Sequence, residues 1–333
     1  MTTLGCGKYS NPDGVSCYMN SILAILQNTP LFTDYIVTGE FQEDTISYEL
    51  QRIFKHSLDN SNCNITPQSF RKKITKKNSI WGELEQQDSQ EFLTFLISTL
   101  EEEIKQKVIF VPNGINYISS KQYKPNEGNF KTANEIFTGN IMAQFQWQKF
   151  MEKEYSAIKM LFTGQFHEQI KCSNCDYISN NFDIFQNIQL DITSDNLIDC
   201  LMNFNKLKQL DEDNTIYCDF CHIKNQAYKK TGIWKFPKIL IINLKRFKMN
   251  NYGQVIGKNT DMVDYPEELN MNENCYELFA VNVHHGRSIN RGHYTSYVKN
   301  RFDDEWYEFD DDSVTPINNI VSNGATLLFY IKS

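Results

Sequence analysis

The chain lacks a long hydrophobic segment and an excess of positive charge. In its 333 residues no apolar run approaches the roughly 20 residues that a membrane-spanning helix needs, so we expect no membrane partner. The first ten residues are polar and lack the apolar core of a signal peptide, which predicts an intracellular protein of the cytoplasm or nucleus. The net charge of -8 disfavours a nucleic-acid partner, because phosphate backbones select basic surfaces.

The residues that are present indicate a folded protein with free thiols. A hydrophobic content of 41% and an aromatic content of 13% are typical of a globular chain, and 333 residues can bury a sizeable core. Nine cysteines are an odd number. In a reducing compartment we expect them to be thiols or metal ligands rather than disulfides.

Hydrophobic periodicity changes from helical to alternating along the chain. Helices are predicted over residues 17–26, 50–54, 66–74, 88–104 and 196–204. Strands are predicted over residues 165–171, 187–192, 227–234, 239–245, 276–284, 294–300, 306–309 and 325–331. The polar stretch 112–135 is interpreted as a long loop or mobile insertion, and the basic run 71–77 as a solvated helix end. Helices followed by strands predict an α+β fold.

Two Cys-x-x-Cys pairs predict a metal site. Cys172 and Cys175 form one pair, and Cys218 and Cys221 form the other. Four thiolates complete the tetrahedron that Zn²⁺ prefers and leave no position for water, so the predicted zinc is structural and we expect no catalytic metal or organic cofactor. Buried or redox-active thiols are the alternative, which a single pair would favour more than two pairs do. The cysteines without ligand spacing are interpreted as buried packing residues: Cys6, Cys63, Cys200 and Cys275.

A cysteine near one end and a histidine near the other are candidates for nucleophilic catalysis. Cys17 stands where a loop, residues 11–16, gives way to the first predicted helix, and the positive end of a helix dipole favours the thiolate. His293 begins an alternating segment, and the acidic run 310–312 follows on the next predicted strand, where a carboxylate could orient the imidazole. The alternatives are a packing cysteine, a hydrogen-bonded core or surface histidine, and a solvated acidic turn or weak cation site.

Together these motifs resemble the ubiquitin-specific protease family of deubiquitinating cysteine proteases, from about residue 10 to residue 332. The resembling segments, in order, are Cys17–Ser21 (the cysteine box), Gln86–Leu93 (the glutamine–aspartate box), Leu161–Phe166 with the first cysteine pair, Tyr217–Lys229, Phe236-Pro237, Leu244–Phe247, Gly292–Tyr294 with Phe309–Asp311 (the histidine box), and Leu327–Tyr330. The resemblance implies a papain-like cysteine protease core with thumb, palm and zinc-binding fingers.

The resemblance also implies how the chain is divided and what it binds. Residues 1–333 would form a single catalytic domain: a helical thumb at about 10–110, a loop or insertion and the approach to the palm at 111–155, fingers with the zinc site at 156–235, and a palm with the histidine box at 236–333. Ubiquitin would rest on the fingers, with its C-terminal tail between thumb and palm. Its partners would be ubiquitin and ubiquitinated proteins, and we expect a monomer.

Site residues are carried over by position. Cys17 would be the nucleophile, His293 the general base and then acid, and Asp310 the group that orients the histidine. Asn11 and Asp311 would assist at the oxyanion. The tail of ubiquitin would be held by a further set: Gln86, Asp88, Glu91, Gly292 and Tyr294. The implied function is a thiol isopeptidase, a ubiquitinyl hydrolase that cuts after the C-terminal glycine of ubiquitin through a thioester.

The loop before Cys17 departs from the family pattern. The family usually places an asparagine five residues before the cysteine, in Asn-x-Gly-x-x-Cys, whereas Pro12 stands there in this chain. Asn11 lies six residues back, so the loop has one extra residue, Asp13. Either Asn11 reaches the oxyanion through a bulged loop, or backbone N–H groups and Asp311 replace it.

This departure keeps other functions open. They are a catalytically impaired ubiquitin-binding module and the same chemistry on another ubiquitin-like modifier. A zinc-ribbon nucleic-acid binder fits the cysteine pairs but neither the charge nor the catalytic residues.

Overall fold

Helices come first in the chain and strands follow. The structure is a computed structural model that describes residues 7–60, 63–106, 133–175, 177–211, 213–250, 252, 255–288 and 291–333, with only the backbone described for residues 133–138 and 249. Its helices are α1 (Cys17–Gln27), α2 (Phe32–Thr38), α3 (Ile46–Asp59), α4 (Gln68–Lys77), α5 (Ser89–Ile104), α6 (Ala133–Glu154), α7 (Ala157–Phe162) and α8 (Leu197–Phe204), with a 3₁₀ turn at Ser79–Gly82. This order confirms the predicted α+β fold.

Most strands belong to two sheets. The strands are β1 (Lys8–Tyr9), β2 (Asn64–Ile65), β3 (Gly164–Cys172), β4 (Ile178–Asn181), β5 (Ile184–Phe185), β6 (Ile188–Leu190), β7 (Lys208–Gln209), β8 (Ile216–Tyr217), β9 (Lys224–Asn225), β10 (Ala227–Lys235), β11 (Ile239–Leu244), β12 (Phe247–Met249), β13 (Val255–Lys258), β14 (Glu268–Met271), β15 (Asn274–Ser288), β16 (Arg291–Lys299), β17 (Trp306–Asp310), β18 (Ser313–Pro316) and β19 (Ala325–Lys332).

Three helices were not predicted. α2 has only seven residues and α7 only six, which is too short for a helical period to stand out. α6 occupies much of the segment 111–155 that was expected to be a loop or insertion, and polar residues interrupt its apolar positions. The predicted loop at 112–135 lies outside the described residues, except for its last three residues, which begin α6.

The main sheet separates two hydrophobic cores. Its strands follow the order β18-β17-β16-β15-β19-β11-β6, with β14 paired to β15. Alternate residues of one strand face opposite sides. Leu327 and Phe329 of β19 therefore belong to the core that contains α1 and α5, whereas Leu328 and Tyr330 belong to the core behind the sheet. The helical part of the chain thus packs on one face of this sheet.

A second sheet extends away from the main one. Its order is β4-β3-β10-β7, and β5 also pairs with β3. The long strands β3 and β10 run antiparallel, with Cys172 opposite Ala227. The two cysteine pairs therefore meet at the far end of an out-and-back strand pair.

α1 is the central element of the helical core. Every one of its 11 residues is buried, including the polar Asn20, Ser21 and Gln27. The helix packs against β15 and β16 on one side and against α5 on another. A helix enclosed in this way has little freedom to shift, so it fixes the position of Cys17, its first residue.

A buried amide joins the helices to the sheet. Asn282 of β15 donates from Nδ2 to the Ser21 hydroxyl of α1 at 2.9 Å, and its Oδ1 accepts from Ser89 of α5 at 2.7 Å and from Thr326 of β19 at 2.9 Å. Asn282 has no exposed surface. Buried polar groups that are fully hydrogen-bonded in this way favour one alignment of the elements that carry them.

We predict that Asn282→Ala destabilises the protein by about 2–3 kcal/mol, because it leaves three buried hydroxyl groups without this partner. Equilibrium unfolding in urea measures the change in the free energy of unfolding. Asn270→Ala, on the exposed surface of β14, is the control and should change it by less than about 0.5 kcal/mol. Equal free energies of unfolding for the two variants would contradict the role given to Asn282.

Candidate active site

Cys17 lies at the amino-terminal end of α1, after a loop of residues 11–16 that we call the nucleophile loop. Ser16 is the residue that precedes the helix, and its hydroxyl does not cap it. The first N–H groups of a helix have no intrahelical acceptor, so they can face an anion near the Cys17 sulfur. Cys17 itself is buried, with 1% of its surface exposed.

His293 approaches Cys17 from the main sheet, and the Asp310 carboxylate lies on its other side. It lies on β16, and its Nε2 is 2.5 Å from Oδ1 of Asp310 at the end of the neighbouring strand β17. The side chains of Cys17 and His293 are hydrogen-bonded, and this bond is the largest cause that raises the pKa of His293 to about 9. Burial opposes the rise, and the hydrogen bond that His293 donates to Asp310 supports it. The arrangement therefore favours an imidazolium beside the sulfur.

Asp311 points in a different direction from Asp310. Its backbone is left-handed, with φ of 50°, and its peptide oxygen accepts from the N–H of Tyr9 at 2.9 Å. Its carboxylate accepts from the side-chain amides of Asn11 and Asn20, both at 2.8 Å. The nearer oxygen lies 4.0 Å from Nε2 of His293. Asp311 thus joins the strand that carries Asp310 to the loop and helix that carry the nucleophile.

The nucleophile loop is closed by hydrogen bonds within itself. Oδ1 of Asn11 accepts from the N–H of Ser16 at 3.0 Å, and its backbone oxygen accepts from Gly14 at 3.2 Å. Gly14 has φ of 72°, a left-handed backbone conformation that favours glycine, although a Cβ there would meet no other atom within 4 Å. Asn11 therefore lies near the site, with its amide donor directed to Asp311.

Two of the predicted tail-binding residues, Gln86 and Gly292, are hydrogen-bonded to each other. Oε1 of Gln86 accepts from the N–H of Gly292 at 2.8 Å. A Cβ added to Gly292 would lie 2.1 Å from Nε2 of His284, so no larger residue fits there without movement. Asp88 caps α5 through bonds from the N–H groups of Gln90 and Glu91, and burial raises the pKa of Asp88.

The other two predicted tail residues differ in exposure. Glu91 is on the first turn of α5 and exposed, and burial followed by the charge of Asp88 raises its pKa. Tyr294 is 2% exposed, and its ring is T-shaped to that of His284 at 4.7 Å between centroids. Tyr294 therefore supports the wall of the site from behind.

Two residues that support the site are not among the predicted site residues. Lys258 of β13 donates to Nδ1 of His284 at 2.8 Å and to the backbone oxygens of His284 and Gly286 at 2.6 and 3.0 Å. Arg71 forms an ion pair with Asp13 and is not a simple solvated helix end. Both contacts join residues far apart in the sequence, so no local spacing reveals them.

The four cysteines of the predicted metal site lie together. The Sγ atoms of Cys172 and Cys221 are 3.9 Å apart and those of Cys175 and Cys218 are 3.6 Å apart. All four sulfurs lie within 4.8 Å of one another. Bonds of about 2.3 Å to a central zinc would place tetrahedral sulfurs about 3.8 Å apart, so the donor set fits a structural metal ion. The N–H of Asn174 also points at the sulfur of Cys172, at 3.4 Å.

The remaining cysteines only partly follow their interpretation as buried packing residues. Cys200 is buried at the inner face of α8, and Cys63 is half-buried. Cys275 is exposed, which corrects the expectation, because its side chain leaves the outer face at the start of β15. Cys6 lies outside the described residues.

In the part of the chain that the structure describes, no helix has the length and apolarity to cross a membrane.

We predict that the imidazole of His293 titrates near pH 9, well above the ordinary histidine value. Cys17→Ser and Asp310→Asn should each lower this pKa, because each removes a partner of the charged ring. Proton–carbon NMR of the imidazole measures it, and His293→Gln identifies the resonance. Because folding raises the pKa of His293, its contacts with Cys17 and Asp310 stabilise the fold fully below pH 6.5. This contribution is lost as the pH rises through 9. A midpoint near 6.5 in the native protein would contradict this description.

A protein-family match covers nearly the whole chain. The family model described as ubiquitin carboxyl-terminal hydrolase matches residues 10–330. Ubiquitin carboxyl-terminal hydrolase 2 of Bos taurus is 32% identical over 342 residues, covering 95% of this chain and 54% of the relative. The Homo sapiens protein of the same name is 31% identical, with the same two coverages. The chain thus spans about half the length of these curated relatives.

Solved structures share the fold. A chain of the SAGA DUB module of Ubp8, Sgf11, Sus1 and Sgf73 bound to monoubiquitin matches with a TM-score of 0.75 and 24% identity, over 100% of this chain and 70% of that chain. The same module bound to ubiquitin aldehyde matches with a TM-score of 0.73 and 23% identity, with the same coverages. From the family match along nearly all of its length, the chain belongs to the ubiquitin carboxyl-terminal hydrolase family.

Proposed function

We propose that this chain is a deubiquitinating thiol isopeptidase that hydrolyses the bond after the C-terminal glycine of ubiquitin in conjugates or chains. The observation that carries the proposal is the meeting of Cys17, His293 and Asp310 from three separate elements. Cys17 begins α1, His293 lies on β16 and Asp310 ends β17. A nucleophile, a base and a carboxylate in hydrogen-bonded series are the parts that acyl transfer to a thiol requires.

In the first half of the reaction, Cys17 attacks the carbonyl carbon of the terminal glycine. The thiol proton is held by His293, and the new carbon–sulfur bond moves the carbonyl electrons onto oxygen. When the tetrahedral intermediate collapses, the carbon–nitrogen bond breaks and His293 transfers its proton to the leaving lysine amine. A raised pKa of His293 supports its role as the acid in this step.

In the second half, water hydrolyses the thioester. His293, now neutral, takes a proton from water as the oxygen attacks the same carbon. The carbon–sulfur bond then breaks, the proton on His293 neutralises the departing thiolate, and the carboxyl terminus of ubiquitin is released. Asp310 accepts a hydrogen bond from Nε2 of the ring at 2.5 Å, which leaves Nδ1 to face the sulfur and the reacting water.

The oxyanion is proposed to be stabilised at the amino-terminal end of α1. The first backbone N–H groups of the helix, with the amide of Asn11 nearby, provide the donors, and removal of one such donor typically costs about 10²–10³ in rate. Since Asn11 bonds to Asp311, its amide can serve the oxyanion directly only by sharing or exchanging that partner. The helix N-terminus supplies donors without such an exchange.

The tail of ubiquitin is proposed to run along the hydrogen-bonded pair Gln86 and Gly292, near Asp88 and Glu91. A Cβ at Gly292 would lie 2.1 Å from Nε2 of His284, and a position that admits only glycine suits a site for a diglycine tail. The two carboxylates suit a tail with an arginine, because a guanidinium binds carboxylates through paired hydrogen bonds. Tyr294 packs behind the slot and supports its wall.

The chain is proposed to act as one catalytic domain, with a thumb at about 10–110, fingers at 156–235 and a palm at 236–333. Zn²⁺ bound by the four cysteines would fix the end of the long β3–β10 pair, on which the body of ubiquitin would rest. The SAGA DUB module, with which this chain shares its fold, has been solved bound to monoubiquitin. We propose ubiquitin and ubiquitinated proteins as partners of a monomeric protein.

We predict that the protein releases the fluorophore from a ubiquitin C-terminal amide, and that Cys17→Ser lowers kcat/KM by at least about 10³-fold because the thiolate is lost. Cys275→Ser, which changes an exposed cysteine away from the site, is the matched control and should stay within twofold of the native chain. Equal turnover by Cys17→Ser would refute the mechanism. No turnover of ubiquitin amides, with ubiquitin still bound, would favour a non-catalytic binding module, and turnover of another modifier alone would redirect the substrate assignment.

We predict one zinc ion per chain, measured by elemental analysis of the purified protein. Cys221→Ser should lose the metal and weaken the affinity for ubiquitin, because the end of the fingers is no longer fixed. In Cys221→Ser, iodoacetamide should alkylate Cys17 at the same rate as in the native chain, because the metal site is remote from Cys17. Cys275→Ser should retain one zinc. A Cys221→Ser variant that keeps full zinc content would contradict the assignment of these ligands.

A further inference from the structure

The nucleophile loop is held from outside by one side chain of a neighbouring helix. Arg71 of α4 forms an ion pair through Nη1 with Oδ2 of Asp13, and the same nitrogen lies 3.3 Å from the hydroxyl of Ser16. The side chains of Arg71 and Asp13 are 15% and 21% exposed, so the pair is largely shielded from water. A shielded guanidinium–carboxylate pair fixes geometry better than an exposed one does.

Asp13 passes this restraint to the residues next to Cys17. Its other oxygen, Oδ1, accepts from the N–H of Val15 at 3.1 Å and from the hydroxyl of Ser16 at 2.8 Å. Serine before a helix normally accepts a bond from the first turn of that helix. Here the Ser16 hydroxyl is directed to Asp13 and does not cap α1. The Ser16 hydroxyl therefore does not compete for the first N–H groups of α1, although the Ser16 backbone oxygen accepts from those of Met19 and Asn20, each at 3.0 Å.

Arg71 also binds the segment on the other side of the site. Its Nε donates to the backbone oxygen of Trp81 at 3.1 Å, and Nη2 donates to that of Glu83 at 3.0 Å. A few residues later this segment reaches Gln86, which accepts from Gly292. One guanidinium thus joins the loop before the nucleophile to the chain that leads into the proposed tail slot.

Packing alone does not hold the outer side of the loop. A cleft of about 590 Å³ borders it, lined by Pro12, Asp13, Ser16 and Arg71 among other residues. Pro12 and Gly14 are exposed. A segment beside an open cleft has few van der Waals contacts to restrain it, so hydrogen bonds must do so.

We propose that Arg71 is a positioning residue for the hydrolase reaction, acting through Asp13 on the amino-terminal end of α1. This inference rests on the proposed function. Asp13 is the residue by which the loop exceeds the family spacing, and Arg71 is the group that fixes it. The pair keeps the helix donors aligned with the oxyanion and fixes their distance from the tail slot. Its contribution therefore falls on the chemical step rather than on the binding of ubiquitin.

The test uses Arg71→Ala, Asp13→Ala and the double variant of the full chain with a ubiquitin C-terminal amide. Each single change should lower kcat by about 10- to 100-fold and leave KM within twofold, since misplacement of catalytic groups by about 1 Å can cost up to about 10² in rate. The double variant should lose no more than either single one, because both act through one contact. Arg71→Lys should recover part of the loss, since one ammonium can still meet Asp13.

Lys72→Ala is the matched control, because Lys72 is the exposed neighbour of Arg71 on α4, and its kcat should stay within twofold. A kcat for Arg71→Ala within twofold of the native chain would overturn the inference. The inference would also be overturned if the kcat losses of Arg71→Ala and Asp13→Ala multiplied in the double variant. The same holds if the loss of kcat were no greater than the fall in folded fraction measured by thermal unfolding.

Hydrogen exchange of backbone amides keeps the inference separate from the proposed function. The amides of Val15 and Ser16 should exchange at least about tenfold faster in Arg71→Ala than in the native chain or in Lys72→Ala. If the native chain cleaves no ubiquitin amide, the proposed function fails, and this measurement still decides whether Arg71 fixes the loop. Unchanged exchange at these two amides would overturn the inference whatever the activity is.

Discussion

The complete burial of α1 is the constraint on which the site depends. The polar side chains of a helix that is buried on all sides depend on its neighbours for hydrogen bonds, and Ser21 of α1 accepts one from Asn282. Since Asn282 also binds Ser89 and Thr326, the helices and the main sheet share one buried polar junction. The position of Cys17 is therefore fixed by the core, at the place where α1 meets the main sheet.

Two adjacent aspartates serve different neighbours because the backbone turns between them. Asp310 ends β17 in extended conformation and meets His293, whereas the left-handed conformation of Asp311 turns its carboxylate to Asn11 and Asn20. Asp310 can thus bond to His293 while Asp311, whose carboxylate is 4.0 Å from the same Nε2, joins the end of β17 to the loop before Cys17.

The sequence could predict the elements of the site but not all of its supports. Helical spacing predicted the helix that begins at Cys17, and paired Cys-x-x-Cys spacing predicted the metal donors, because both signals are local. The motifs that resemble the family indicated His293 and Asp310. Arg71 was interpreted as part of a solvated helix end, since its partners Asp13 and Glu83 are brought to it only by the packing of α4. Short helices such as α2 were missed because seven residues barely span two turns.

Three neighbouring histidines show how the fold assigns chemistry to one of them. Burial, followed by the charge of Lys258, lowers the pKa of His284 to about 3, and burial also lowers the pKa of His285. The contact with Cys17 and the carboxylate of Asp310 instead raise the pKa of His293 to about 9. His285 and His293 are directly opposite each other in the β15–β16 pair, so strand position alone does not separate them. Their partners do: a neutral His284 packs against Gly292 as a wall, and the histidine that carries the proton is the one that faces the sulfur.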